Sequence, residues 1–314
     1  MNNPIALVGE LSPTQSERWL KLLQAELPDE NIIEFSALSQ IQKQQCEIAI
    51  VANPDPANIA QLANLKWLHS LWAGVEKLVA TFKAENLKIV RLIDPNLTDA
   101  MSEAALAWSL YLHRDMPHYQ QAQVKAEWSS KLYARPSERT IGVLGLGQLG
   151  SASAQRLAEN GFNVLGWSRN PKQIAGLTSL SGEAGLVQLL SQSDIVIVLV
   201  PLTQDTHHLL NIDRLSLMKP TASLINFARS RIIDTQALIQ RLDEHQLAHA
   251  VLDVFDQEPL PKDSPLWQHK SITVLPHISA QTNPNTASAI VAKNIKNYRE
   301  TNQIPTCINY KTGY

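Results

Sequence analysis

No uninterrupted run of about 18 apolar residues, the length a membrane-spanning helix needs, occurs in this chain, so no membrane span is expected. The opening MNNPIALVGE lacks a basic stretch followed by a long apolar segment, and no signal peptide is expected either. Cysteine is scarce: Cys46 and Cys307 stand far apart, outside any CxxC or His-rich motif. That excludes a disulfide framework and a cysteine-built zinc site, so no metal is expected and the cytoplasm is the expected compartment. Positive charge is not in excess. Lys and Arg total 27 against 29 Asp and Glu, a net charge of -2, which supplies no basic face for nucleic acid or anionic lipid. Internal repeats and low-complexity segments are also missing. Small molecules are the expected partners.

What is present is core material. At 314 residues, 44% hydrophobic and 18% charged, the chain suits two domains, and two domains imply a cleft. In the first hundred residues short apolar runs (Ile5–Val8, Ile48–Val51, Leu65–Leu71, Ile89–Ile93) alternate with amphipathic stretches such as Gln15–Leu27, the pattern of a small α/β unit. Met101 to His113 carries apolar residues at helical spacing and on its remaining face, so a helix buried on two sides is predicted.

A more regular series begins at Thr140. Ile141–Leu144 reads as a strand, Gln148–Asn160 as a helix closed by Gly161, and Phe162–Trp167 as the next strand, a βαβ unit. Further strands are predicted at Ile195–Val200, Ala222–Phe227, His249–Val254 and Ile272–Leu275, with a helix over Thr235–His245. IVIVLV is apolar at every position, as a parallel strand covered on both faces should be. A last helix, Thr286–Arg299, is expected to return to the first domain, because so short a tail cannot form a core alone. The predicted division is 1–98 with 280–314, and 99–279.

Gly145-Leu146-Gly147-Gln148-Leu149-Gly150 follows a predicted strand and opens a predicted helix, the context that gives a G-x-G-x-x-G string its meaning. The first glycine allows a tight turn, the second lets the backbone approach a pyrophosphate, and the third lets the helix pack closely. The N–H groups at the start of that helix, Gln148 and Leu149 among them, then face an anion. At the end of the second strand an NAD-binding fold presents an acid to the adenosine ribose. Here the string is Gly166-Trp167-Ser168-Arg169-Asn170-Pro171-Lys172, with no carboxylate. Ser168 can donate a hydrogen bond and Arg169 can pair with a 2′-phosphate, which points to NADPH, with NADH as a weaker alternative. Lys172 is a second, weaker candidate for the phosphate, with a solvated charge as the simpler reading.

Ligands of open α/β sheets lie outside the carboxyl ends of the strands. Three polar groups fall at such ends: Arg229 in NFARS, Glu258 in DVFDQEPLP and His277 in PHIS. Together they suit reduction of a 2-oxo acid. That reaction needs a hydride donor, a cation to hold the carboxylate and polarise the ketone, and an acid to protonate the new alkoxide. Arginine brings a planar fork that never loses its charge, histidine is the side chain that titrates near neutrality, and a carboxylate beside a histidine favours the imidazolium and fixes the ring. In the first domain, Leu71-Trp72-Ala73-Gly74-Val75-Glu76 lies where a predicted strand turns into a helix. The N–H groups of Ala73 to Val75 are placed to cradle a carboxylate, with Gly74 permitting the turn.

GLGQLG, NFARS, LDVFDQEPLP and PHIS, in this order and spacing, resemble the D-isomer-specific 2-hydroxyacid dehydrogenases. LWAGVEKL, GWSRNPK, EPLPKDSPLWQH and a short tail ending in Gly313-Tyr314 are similar to the glyoxylate/hydroxypyruvate reductase A group of that family. The resemblance implies a flavodoxin-like substrate domain made from both termini, an inserted Rossmann domain with a doubly wound parallel sheet, and a homodimer built around the latter. It implies glyoxylate and hydroxypyruvate as substrates, Arg229, Glu258 and His277 in the roles just given, and Ala73, Gly74 and Val75 on the substrate carboxylate. It also places Pro201 and Thr203 in a loop on the nicotinamide side of the dinucleotide and Asp253 near the nicotinamide carboxamide. This chain departs from the family at Ser230, where Gly is usual, and at Asn283, where the group often has Arg. Trp72 is bulky for its place and, with Met101 and Trp267, is positioned in sequence to shape the pocket, although packing is the simpler role for the last two. Two other readings share these motifs: a broad 2-oxo-acid reductase for bulkier substrates, and a nucleotide-sensing binding protein like the corepressors of this fold.

Overall fold

Apolar runs flanked by amphipathic helices can be buried on both faces only in parallel sheets, and every strand pairing here is parallel. A computed structural model describes residues 2–84 and 87–310, so the Gly313-Tyr314 ending lies outside the described residues. Contacts separate the chain into two units, Met1–Leu97 with Thr282–Tyr314, and Thr98–Gln281.

The first unit runs β1 (Ile5–Gly9), α1 (Pro13–Glu26), β2 (Ile32–Glu34), α2 (Gln40–Gln45), β3 (Ile48–Ala52), α3 (Pro56–Ile59), β4 (Trp67–Ser70), α4 (Glu76–Phe82) and β5 (Lys88–Val90). Its helices start where the sequence supplies caps. Ser12 caps α1 in a reciprocal box with Gln15, and Pro13 occupies the first turn, where its missing N–H matters least. The strand order is β2, β1, β3, β4, β5, the flavodoxin arrangement, with its reversal between β1 and β3.

The second unit contains most of α5 (Pro95–His113), then α6 (Met116–Val124), β6 (Thr140–Leu144), α7 (Gln148–Glu159), β7 (Asn163–Ser168), β8 (Thr178–Ser181), α8 (Gly182–Gln192), β9 (Ile195–Val198), α9 (Ile212–Leu215), β10 (Ser223–Asn226), α10 (Thr235–Asp243), β11 (His249–Leu252) and β12 (Ile272–Val274). The order β12, β11, β10, β9, β6, β7, β8 is the Rossmann arrangement extended by one strand, reversing between β6 and β9. IVIV of β9 is buried at all its positions, between a layer containing Leu186, Leu189 and Leu238 and one containing Ala105, Ala154 and Leu157.

The last helix is α11 (Pro284–Thr301), which packs on α1 in the first unit. Ala287, Val291, Ala292, Ile295 and Tyr298 of this helix join Ile5, Ile48 and Trp67 in one core. Asn283 caps α11 by accepting from the Asn285 amide. Among the described residues no helix is long and apolar enough to cross a membrane, and no group of three or more His, Cys, Asp or Glu could hold a metal ion.

Candidate active site

β6 ends at Leu144, and the chain turns at Gly145 with φ +109, a conformation that side chains disfavour. A Cβ on Gly150 would stand 1.7 Å from the Gly145 carbonyl oxygen, so the third glycine is required by the approach of α7 to the turn. Gly147 is different. A Cβ there would meet nothing within 4 Å, so the fold leaves open space above the N-terminus of α7. No side chain caps that helix, whose first residues are Gln148 and Leu149. An uncapped helix start beneath an open glycine fits a dinucleotide pyrophosphate.

At the end of β7, Ser168 is buried and its hydroxyl donates to the Asn170 carbonyl at 2.7 Å. The hydroxyl proton expected for a phosphate is therefore already engaged by that carbonyl. Arg169 is exposed and pairs with Asp205 at 2.9 Å. Lys172 is exposed, and its Nζ donates to the Leu146 carbonyl, inside the glycine turn, at 2.6 Å.

Arg229, Glu258 and His277 follow β10, β11 and β12, which are neighbours in the sheet. Glu258 and His277 are brought together. His277 Nδ1 donates to Glu258 Oε2 at 2.7 Å, while Glu258 Oε1 accepts the Phe255 amide at 2.9 Å. One carboxylate thus fixes both its own loop and the imidazole. His277 has φ +55, unusual for a side chain with a Cβ. The loop is held by Asp253, which is 2% exposed and accepts the amides of Ile278 (2.7 Å) and Ser279 (2.9 Å) with its two oxygens. Asp253 therefore acts here as a clamp on the residues after His277, a role that the sequence did not suggest.

Arg229 is seated by Asn226, 1% exposed, whose Oδ1 accepts the Ala228 amide and whose Nδ2 donates to the Arg229 carbonyl. The guanidinium itself donates to the Ala228 carbonyl at 2.7 Å. Ser230, the departure from glycine, gains a bond: its hydroxyl donates to Asp256 at 2.7 Å, tying the segment behind Arg229 to the loop that carries Glu258.

After β9, the carbonyl of Pro201 and the amide of Thr203 are both engaged by the buried Thr206 hydroxyl, at 2.6 and 2.7 Å. In the first unit, Trp72, Ala73, Gly74 and Val75 link β4 to α4, whose start has no side-chain cap. The Trp72 amide donates to Ser70 Oγ, and its indole packs edge-on against Trp19. Gly74 is not among the residues with positive φ, so the loop turns without a left-handed residue there. Met101 is buried in core, while Trp267 is 47% exposed and donates to the Pro261 carbonyl.

The family model described as D-isomer specific 2-hydroxyacid dehydrogenase, NAD binding domain, matches residues 106–279. Glyoxylate/hydroxypyruvate reductase A of Serratia proteamaculans is 35% identical over 286 residues, covering 89% of this chain and 90% of that protein. The protein of the same name from Photorhabdus laumondii is 34% identical over 306 residues, 95% of this chain and 96% of its own. Among solved structures, a D-isomer specific 2-hydroxyacid dehydrogenase from Xanthobacter autotrophicus Py2 in complex with NADPH and MES superposes with a TM-score of 0.91 at 33% identity, over 100% of both chains. An NADPH-dependent glyoxylate/hydroxypyruvate reductase from Sinorhizobium meliloti, in complex with NADP and sulfate, superposes with a TM-score of 0.90 at 26% identity, again over 100% of both.

Proposed function

The chain belongs to the D-isomer specific 2-hydroxyacid dehydrogenases, and from that premise we propose that it reduces glyoxylate to glycolate and hydroxypyruvate to D-glycerate with NADPH. The observation that carries the proposal is the 2.7 Å bond between His277 Nδ1 and Glu258, at the carboxyl edge of the sheet whose β6 bears the glycine turn. The bound dinucleotide supplies the hydride. With Nδ1 committed to Glu258, Nε2 is the nitrogen that holds the proton destined for the substrate oxygen. Glu258 orients the ring through Nδ1–H and offsets the charge of the doubly protonated imidazole. Arg229 holds the substrate carboxylate and draws electron density from the ketone. Ala73, Gly74 and Val75 supply backbone amides to a substrate carboxylate. In this reading Met1–Leu97 with Thr282–Tyr314 is the substrate domain and Thr98–Gln281 the cofactor domain, Gly145, Gly147 and Gly150 seat the pyrophosphate, and Arg169 reads the 2′-phosphate.

Loss of NADPH absorbance with glyoxylate, hydroxypyruvate and phenylpyruvate in parallel, NADH serving as the control, tests the proposal. Rapid turnover of the two small acids with NADPH is expected. Preference for phenylpyruvate would move the assignment to bulkier substrates, and NADPH binding without turnover would move it to a nucleotide sensor.

The same reading places the protein in the cytoplasm, in keeping with its two free cysteines, and makes it a homodimer. Support for self-association comes from Val124, Trp128, Leu132 and Tyr133, which are 88%, 104%, 98% and 62% exposed around the end of α6, a concentration of apolar surface unusual for a monomer. Light scattering should give twice the chain mass, and Trp128→Ser should lower it.

A further inference from the structure

Arg169 stands where a dinucleotide fold places its reader of the adenosine ribose, and its guanidinium is already engaged. Nη2 meets Asp205 Oδ2 at 2.9 Å. Asp205 belongs to the loop after β9, whereas Arg169 follows β7, and β6 lies between those two strands in the sheet. The ion pair therefore joins the two loops that flank the glycine turn, so a dinucleotide lying on that turn must meet it. The Asp205 loop is built rather than slack: Thr206 bonds Pro201 and Thr203, and the His207 amide donates to the Thr203 carbonyl at 2.9 Å. The side chains of Arg169 and Asp205 are 63% and 70% exposed. A pair so hydrated contributes little to folding, and it exchanges partners readily.

We propose that Asp205 is a specificity-determining residue for the cofactor, one that competes with the 2′-phosphate for Arg169. The inference rests on the reading of Arg169 as the phosphate's partner. In the free protein the carboxylate occupies the guanidinium that the phosphate must engage. Entry of NADPH requires the carboxylate to leave, or to share one cation with a second anion at close range. NADH makes no such demand. Its 2′-hydroxyl is a hydrogen-bond donor, and Asp205 offers the acceptor that the end of β7 lacks. Asp205 thus narrows the preference for NADPH that Arg169 creates.

The test is direct titration of the substrate-free protein with NADPH and with NADH, followed by calorimetry, for the wild type, Arg169→Ala and Asp205→Asn. Arg169→Ala should weaken NADPH binding by about tenfold or more while leaving NADH within about twofold. Asp205→Asn should tighten NADPH by about two- to fivefold, the range expected of an exposed ion pair, and weaken NADH. If Arg169→Ala is selective for NADPH but Asp205→Asn leaves the ratio of the two affinities unchanged, or moves it toward NADH, the role of Asp205 is overturned and that of Arg169 stands. Equal weakening of both cofactors by Arg169→Ala would overturn the phosphate reading and the competition together.

Discussion

Gly147 and Gly150 belong to one motif, yet the structure separates what each does, and a pair of alanine substitutions should reveal it. At Gly147 the backbone is extended (φ -70, ψ -168), a conformation alanine adopts freely, and its Cβ would meet nothing within 4 Å. Gly147→Ala should leave stability within about 0.5 kcal/mol, because the lost flexibility of the unfolded chain offsets alanine's poorer fit at an N-cap. The added methyl would instead fill the space through which a pyrophosphate reaches the α7 amides. Losing one charge-assisted hydrogen bond there corresponds to about 1.5–3 kcal/mol, or roughly 10- to 100-fold in NADPH affinity. At Gly150 the methyl would lie 1.7 Å from the Gly145 carbonyl oxygen, an overlap relieved only by moving α7 off the turn. Gly150→Ala should therefore destabilise the fold by about 1–3 kcal/mol. Urea unfolding and NADPH titration on both variants give a crossed result: binding lost without stability in one, stability lost in the other. A folded Gly147→Ala protein that binds NADPH like the wild type would refute the path assigned to the pyrophosphate.

His277→Gln should lower kcat by about 10²- to 10⁴-fold with little change in NADPH affinity, and an equal loss in both would argue for a structural role instead. Arg229→Lys, which keeps the charge but loses the fork, should reduce kcat/KM for glyoxylate by on the order of 10²-fold, as steady-state kinetics would show. Burial lowers His69 and His249 from the ordinary 6.5 to about 4. The unfolded chain then binds more protons between those values, so the stability these residues contribute is complete above pH 6.5 and is lost as pH falls toward 4. The loss is roughly 3 kcal/mol for each, and denaturant midpoints from pH 7 to 4.5 should fall accordingly, less steeply in His69→Gln.

Much of this was legible because burial on both faces leaves an unbroken apolar string, as in IVIVLV, and because a glycine turn is written in consecutive residues. Elements with neither signature were not. Strand β8, TSLS, forms the sheet edge and is only partly buried, so nothing in its composition marks it as a strand. Helix α6, MPHYQQAQV, buries only Ala122 and has no apolar face to find. Helix α5 begins at Pro95 rather than Met101, since its first turns carry no apolar period and only the proline hints at the start. Strand β9 stops at Val198, before the apolar string ends: the Leu199 amide makes one more bond, to the Leu144 carbonyl of β6, before the loop begins. The pairing of Arg169 with Asp205 and the clamp of Asp253 on Ile278 and Ser279 join residues distant in sequence. Only strand order makes them neighbours.

Those distant bonds explain how a parallel sheet, which delivers residues to one edge, also holds them at fixed positions. The last inter-strand bonds are made by the amides of Phe227, Asp253 and Leu275; beyond these residues the ladder no longer holds the chain. In each loop that carries a proposed reacting group, a polar side chain takes over. Asn226 braces Arg229, Glu258 accepts the Phe255 amide, and Asp253 accepts two amides after His277. His277 shows why this is needed. A residue at φ +55 costs about 1–2 kcal/mol relative to its preferred backbone, and without a restraint the loop would relax and take the imidazole away from Glu258. Two amide bonds to a buried carboxylate are enough to offset that strain. Placement of the proposed proton donor therefore depends on Asp253, a residue that need not touch the substrate.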